Sequence, residues 1–167
     1  MATTKTETPQ SRLPRDLRGS TSFLLKRLGF AAKERAAEAF EETGLTPYHF
    51  AVLLALAEGS HETQGAIADV LGYDRGQLVG LLDELEERGL VERRRDPADR
   101  RRQLVSVTPP GKRELTRLRA LSRKLEDELF ASLDERQREQ LHELLLQLAE
   151  DHLPQFGGRK LGTSASY

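Results

Sequence analysis

Between Thr63 and Gly89 the sequence "TQGAIADVLGYDRGQLVGLLDELEERG" leaves room for two short helices and one tight turn. Thr63 offers a side-chain acceptor just ahead of Ile67, Val70 and Leu71, where it can cap a first helix. Gly72 suits a left-handed stop, and Asp74 can cap the next helix after a tight turn. In that second helix Leu78, Leu81, Leu82 and Leu85 stand at i, i+3, i+4 and i+7, forming one apolar stripe. Two short helices joined across a glycine turn match the helix-turn-helix pattern. Many helical proteins contain such a pair, so the pattern alone fixes no function.

The next segment adds a sheet and a charge. Gly89 closes the helix, and "LVERRR" and "RQLVSVT" both read as strands, with Val105 and Val107 alternating against polar neighbours. Between them "DPAD" has Asp96 and Pro97 in the first two places of a type I turn. The segment "RRRDPADRRR", Arg93 to Arg102, therefore straddles a hairpin tip. From Arg88 to Arg102 seven arginines face Glu92, Asp96 and Asp99, a local charge of +4 in a chain of net charge -1. Basic charge gathered in one place marks a nucleic-acid contact rather than a generally adhesive surface. A helix-turn-helix followed by a basic two-stranded hairpin is a winged helix.

The expected fold class is mainly α with a small β-hairpin wing, a winged helix-turn-helix core between N- and C-terminal dimerisation helices. Residues 1–15 are expected to be a disordered tail and 155–167 a flexible one. Residues 16–154 form one domain, with the winged lobe at about 46–108 and flanking helices at about 17–43 and 110–153. The first helix carries Leu17, Leu24, Leu28, Ala31, Ala32 and Phe40 at helical spacing. Gly44 then suits a left-handed cap, Thr46 an N-cap and Pro47 the first helical position. The helix that follows, to about Glu58, is nearly all apolar and must be core. Leu115, Leu118, Leu121, Leu125 and Leu129 stripe the next helix; Ser132 with Glu135 reads as a capping box for a last one bearing Leu141, Leu144, Leu145 and Leu148. A winged helix can bury its own core, so the terminal stripes need another partner. A second copy of the chain supplies it; an intramolecular three-helix bundle is the alternative.

Several functions are excluded on composition. The absence of cysteine removes disulfides, thiolate metal sites and thiol redox sensing. "FAVLLALA", Phe50 to Ala57, is the longest apolar run and too short to span a bilayer. The first residues lack the apolar core of a secretory signal, so a cytoplasmic setting without membrane contact is expected. His49, His61, His142 and His152 show no HxxxH or HExxH spacing, so no metal is expected. With no nucleophile–base pair, P-loop or dinucleotide fingerprint, the chain does not read as an enzyme, and no cofactor is expected.

The stretches "LTPYHFAVLLAL" and "IADVLGYDRGQLVGLLDELEERGLVERRRDPADRRRQLVSVTPPG" resemble the MarR family of bacterial transcriptional regulators, most densely between Thr46 and Gly111. The most specific piece is the succession GLVER, then D-R-R, then V-x-V-T-x-x-G, with Val107 where the family usually has leucine. The resemblance implies a homodimeric repressor on double-stranded DNA. Its recognition helices would enter successive major grooves of a pseudo-palindrome about 10 bp apart. By the same resemblance Asp99 braces the wing, pairing with a strand arginine such as Arg94, and Arg101 reaches a minor groove. Arg93, Arg95, Arg100 and Arg102 are expected phosphate contacts. On the recognition helix Arg75 could take guanine and Gln77 adenine, with Val79 alongside and Gly76 and Gly80 permitting close backbone approach. Thr63 and Gln64 open the preceding helix as phosphate contacts or plain caps. Asp83 and Glu87 must sit beyond the groove. Many members release DNA on binding a small aromatic or anionic molecule; Phe30, Tyr48, His49 and His61 fall near that place, although core packing is the commoner use of such residues. The rival reading is a winged-helix protein-interaction module, which would not need arginines gathered at a hairpin.

Overall fold

The computed structural model describes residues 13–59, 63–99 and 103–156. In chain order the elements are α1 (Arg15–Arg18), α2 (Thr21–Glu41), α3 (Pro47–Glu58), α4 (Gln64–Leu71), α5 (Arg75–Glu87), β1 (Val91–Arg95), β2 (Gln103–Val107), α6 (Pro109–Leu129) and α7 (Glu135–His152), followed by a 3-10 turn at Pro154–Phe156. The chain divides into two compact units within α2, Met1–Arg35 and Ala36–Tyr167.

The continuous first helix expected from about Leu17 is interrupted. At the end of α1 Gly19 N donates to Arg15 O at 2.9 Å and Ser20 N to Leu17 O at 3.2 Å, and α2 starts afresh after Ser20, whose Oγ accepts from Phe23 N at 3.3 Å. A serine that satisfies a free helix-end N–H competes with helix continuation, which periodicity of leucines cannot reveal.

In the second unit the core is the winged lobe. Val52, Leu53 and Leu56 of α3 pack with Ile67 and Ala68 of α4, Leu78, Leu82 and Leu85 of α5, Val91 and Val105 of the hairpin, and Leu115 and Leu118 of α6. The helix-turn-helix stands as read. Thr63 Oγ1 accepts from Ala66 N at 3.3 Å, Gly72 adopts φ 65°, and Asp74 Oδ1 accepts from Gln77 N at 3.0 Å. On the short α4 Val70 is 59% exposed, and Ala68 takes the inward place beside Ile67.

The hairpin is antiparallel, with Val91 opposite Val107, Arg93 opposite Val105 and Arg95 opposite Gln103. Thr63 adds a bridge to Leu104, so the start of α4 is stitched to the wing. Thr108 joins the wing to α6. Its Oγ1 donates to Gly89 O at 2.6 Å and accepts from Gly111 N at 3.1 Å. Gly111 is buried, and a Cβ there would overlap the Leu90 carbonyl oxygen and crowd Val107 Cγ1. That close approach is the physical content of the T-x-x-G spacing: threonine holds the corner and glycine lets the helix sit on it.

Helix α7 begins two residues later than expected. Asp134, not Ser132, is its N-cap, and the capping box is completed by Gln137, whose Oε1 accepts from Asp134 N at 3.0 Å. A carboxylate is the better partner for helix-end N–H groups and for the helix dipole. No residue of α7 is buried; Leu144 is 60% exposed, and Leu145 and Leu148 also face outward. In α2 only Phe40 is buried, while Leu24 and Leu28 are exposed. Among the described residues no helix is long and apolar enough to cross a membrane.

Candidate nucleic-acid interface

Helix α5 buries Leu78, Leu82 and Leu85 and turns Arg75, Gly76, Gln77, Val79 and Gly80 to the outside, as its leucine period requires. The two glycines differ. At Gly80 an added Cβ would meet nothing within 4 Å, so the backbone there is bare and approachable. At Gly76 a Cβ would lie 3.0 Å from Asp74 Oδ1, so this glycine makes room for the helix cap. Gln64 leans toward the wing, with Nε2 3.5 Å from Gln103 Oε1, a long contact that leaves its donors largely available.

The arginines divide by strand period. Val91 faces the core, and Arg93, two residues on, shares that face. Its side chain is only 16% exposed, and its Nη1 lies 2.6 Å from Asp83 Oδ1 and 3.1 Å from Glu86 Oε2. Nη2 donates to Val79 O at 3.4 Å, and the backbone N–H of Arg93 donates to Glu86 Oε1 at 3.1 Å. The buried Nε has no hydrogen-bond partner, so the grip is made by the two terminal nitrogens. Arg93 is therefore not the expected phosphate contact. It clamps β1 to the recognition helix and neutralises carboxylates that would otherwise repel DNA, which also answers how Asp83 is tolerated.

Arg94 points the other way and is well exposed; its Nη2 pairs with Glu92 Oε2 at 2.9 Å, and Glu92 Oε1 accepts from Ser106 Oγ across the hairpin. This ion pair is within its own strand. Arg95 is exposed near the tip. The turn is tightened by Asp96, whose Oδ1 accepts from Ala98 N at 2.8 Å. Arg100, Arg101 and Arg102 lie outside the described residues, as does His61.

Two of the expected effector residues, Tyr48 and His49, have capping and packing partners within the second unit. His49 is 2% exposed and serves as the third residue of the α3 capping box: Nδ1 accepts from Thr46 N at 3.0 Å, and Thr46 Oγ1 accepts from His49 N. Because Nδ1 is an acceptor, the proton of the neutral ring sits on Nε2, which lies 3.1 Å from Glu84 Oε2 on α5 without the alignment of a good hydrogen bond. Tyr48 packs edge-on against Tyr73 with ring centroids 5.6 Å apart. Neither lines the hollow of about 520 Å³ formed by Leu56, Ser106, Val107, Lys112, Leu115 and Arg119. In the first unit Phe30 lines a groove on α2.

Burial lowers the His49 pKa below its ordinary value of 6.5; the Glu84 carboxylate partly offsets this, and Arg88 adds to the lowering. The unfolded chain therefore takes up a proton at His49 before the folded one does. Stability from this residue is complete above pH 6.5 and declines as pH falls through that value toward the folded pKa. Thermal melts from pH 7.5 to 5 should show a smaller drop in Tm for His49→Gln than for the unaltered protein; equal slopes would remove His49 as a source of acid sensitivity.

A capped recognition helix clamped to a basic hairpin defines the winged-helix class of DNA-binding folds. Similarity to known proteins carries the identification further. The family model described as MarR family matches residues 43–102. A proposed transcriptional regulatory protein for the hcr operon of Thauera aromatica is 33% identical over 131 residues, covering 78% of this chain and 79% of that protein. The structure of the transcriptional repressor CouR bound to a 23-mer DNA duplex superposes with a TM-score of 0.76 at 34% identity, covering 83% of this chain and 99% of that one. CouR from Rhodococcus jostii RHA1 bound to p-coumaroyl-CoA matches with a TM-score of 0.70 at 33% identity, over 81% of this chain and 96% of that one. The chain belongs to the MarR family of transcriptional regulators.

Proposed function

We propose that the protein is a ligand-responsive repressor that binds a pseudo-palindromic duplex as a homodimer. The observation that carries this reading is the clamp: Arg93 fixes the wing to α5, so recognition helix and hairpin meet DNA as one rigid unit. Arg75, Gln77 and Val79 address a major groove, and bare Gly80 allows the helix backbone close to it. Thr63, Gln64, Arg95, Arg100 and Arg102 supply phosphate contacts, and Arg101 enters the neighbouring minor groove behind a tip braced at Asp99. The likeness to CouR in its DNA-bound form supports this arrangement. The exposed leucines of α2 and α7 support a second copy as the cover of the terminal helices. An aromatic acid derivative as effector is supported by the CouR complex with p-coumaroyl-CoA. A regulator of this kind works in the cytoplasm.

The test is a gel shift on a fragment taken from beside the protein's own gene. The unaltered protein should retain it, and Arg101→Ala should bind about 1–3 kcal/mol more weakly, roughly 10- to 100-fold, while remaining dimeric. Unchanged affinity would refute the minor-groove role, and no retained fragment at all would favour a protein-interaction module.

A further inference from the structure

Helix α4 is held at both ends by segments distant in sequence. Thr63, its N-cap, bridges to Leu104 of the wing. At the other end, the Pro154–Phe156 turn that follows α7 packs against the same helix. The Gln155 side chain lies over Gly72, the glycine that ends α4, where an added Cβ would stand 3.6 Å from Gln155 Nε2. Gly72 comes three residues before Arg75, where the recognition helix begins. The turn is also fixed locally. Leu153 N donates to Ala149 O at 2.8 Å, Phe156 N donates to Leu153 O at 3.0 Å, and the Pro154 ring sets its own φ.

This contact is not core packing. No residue of the turn is buried, and Leu153 and Phe156 remain nearly half exposed. A contact that removes so little apolar surface from water adds little to folding stability. What it fixes is an angle. Helix α7 has no buried residue, and its exposed leucines are the ones assigned above to a second copy. Its 18 residues make a rod about 27 Å long. The turn at the end of that rod carries a position set by the dimer to the corner from which α5 starts. We propose that Gln155 and the Pro154–Phe156 turn are positioning elements for DNA recognition, holding the α4–α5 corner at a fixed angle to α7 and so setting the separation of the two recognition helices. The proposal rests on the homodimer reading above and adds a determinant of specificity outside the residues that face DNA.

Anisotropy titrations on the full-length protein test this with the retained fragment and with duplexes that carry one base pair more or fewer at its centre. One base pair turns a half-site by roughly 35° about the duplex axis, which a dimer of fixed geometry resists. The unaltered protein should bind the altered duplexes about tenfold more weakly, and the double variant Pro154→Gly/Gln155→Gly should shrink that penalty to about threefold or less. Gln155→Met, which keeps a side chain over Gly72, should keep the penalty. The glycine variant should stay dimeric with an unchanged Tm, which separates positioning from folding. A glycine variant that becomes monomeric overturns the proposal, because the turn would then belong to the surface between copies. A Gln155→Met protein that behaves as the glycine variant overturns the contact with Gly72. An unaltered protein that is monomeric or retains no duplex removes the homodimer reading itself. One that discriminates the duplexes no better than its glycine variant keeps that reading and removes only this inference.

Discussion

Replacing Leu144 and Leu148 together by glutamate should give a soluble, helical monomer that no longer retains its DNA fragment. Both side chains are exposed on α7, a helix that buries nothing against its own chain. Burying a leucine contributes about 1.5–3 kcal/mol. Two leucines from each of two copies therefore place the expected loss of association at roughly 10³-fold or more, before the cost of charge is counted. Helix α7 should survive the change, because its Asp134–Gln137 capping box and the Arg138–Asp127 pair at 3.0 Å lie at its other end. Light scattering and circular dichroism read the two quantities separately. A dimer of unchanged stability would show that α7 is covered by something other than a second copy, and the half-site arrangement would lose its basis.

The second large effect is expected at Arg93. Arg93→Met keeps much of the side chain's packing but frees Asp83 and Glu86 on the recognition helix and unties β1 from α5. Both carboxylates are about half exposed, so solvent screening limits the folding cost to about 1–2 kcal/mol. The cost in DNA affinity should be larger, about 2–4 kcal/mol, because two uncompensated negative charges then face phosphate and the wing loses its fixed angle. Adding Asp83→Asn to Arg93→Met should recover part of the affinity but not the stability. Recovery of neither would assign Arg93 a packing role only, and an Arg93→Met variant with full affinity would remove the clamp from the account.

The winged lobe was legible in the sequence because its signals are local and agree with one another. Thr63, Gly72, Asp74 and Thr108 are cap and stop residues in the places where caps and stops occur, and the α5 leucines bury as their spacing requires. Arg93 departs from its neighbours in the arginine run by strand period and not by residue type. The period of two from buried Val91 already placed it on the inner face, and Asp83 and Glu86, three apart on α5, were the available partners. His49 stands three residues after Thr46, where a capping box places its third member, and the core position it takes is the commoner use of such a residue. The break at Gly19–Ser20 and the choice of Asp134 over Ser132 turn on competition among neighbouring caps, which residue type alone does not decide.

The central claim, that a dimer grips a duplex with paired basic wings, is tested most directly by the salt dependence of binding. Anisotropy titrations of the retained fragment between about 50 and 200 mM salt should give log K falling linearly with log salt. The slope should correspond to several phosphates per dimer, at about 0.9 per phosphate neutralised, and should become shallower in Arg101→Ala. A flat line, with affinity indifferent to salt, would contradict the account.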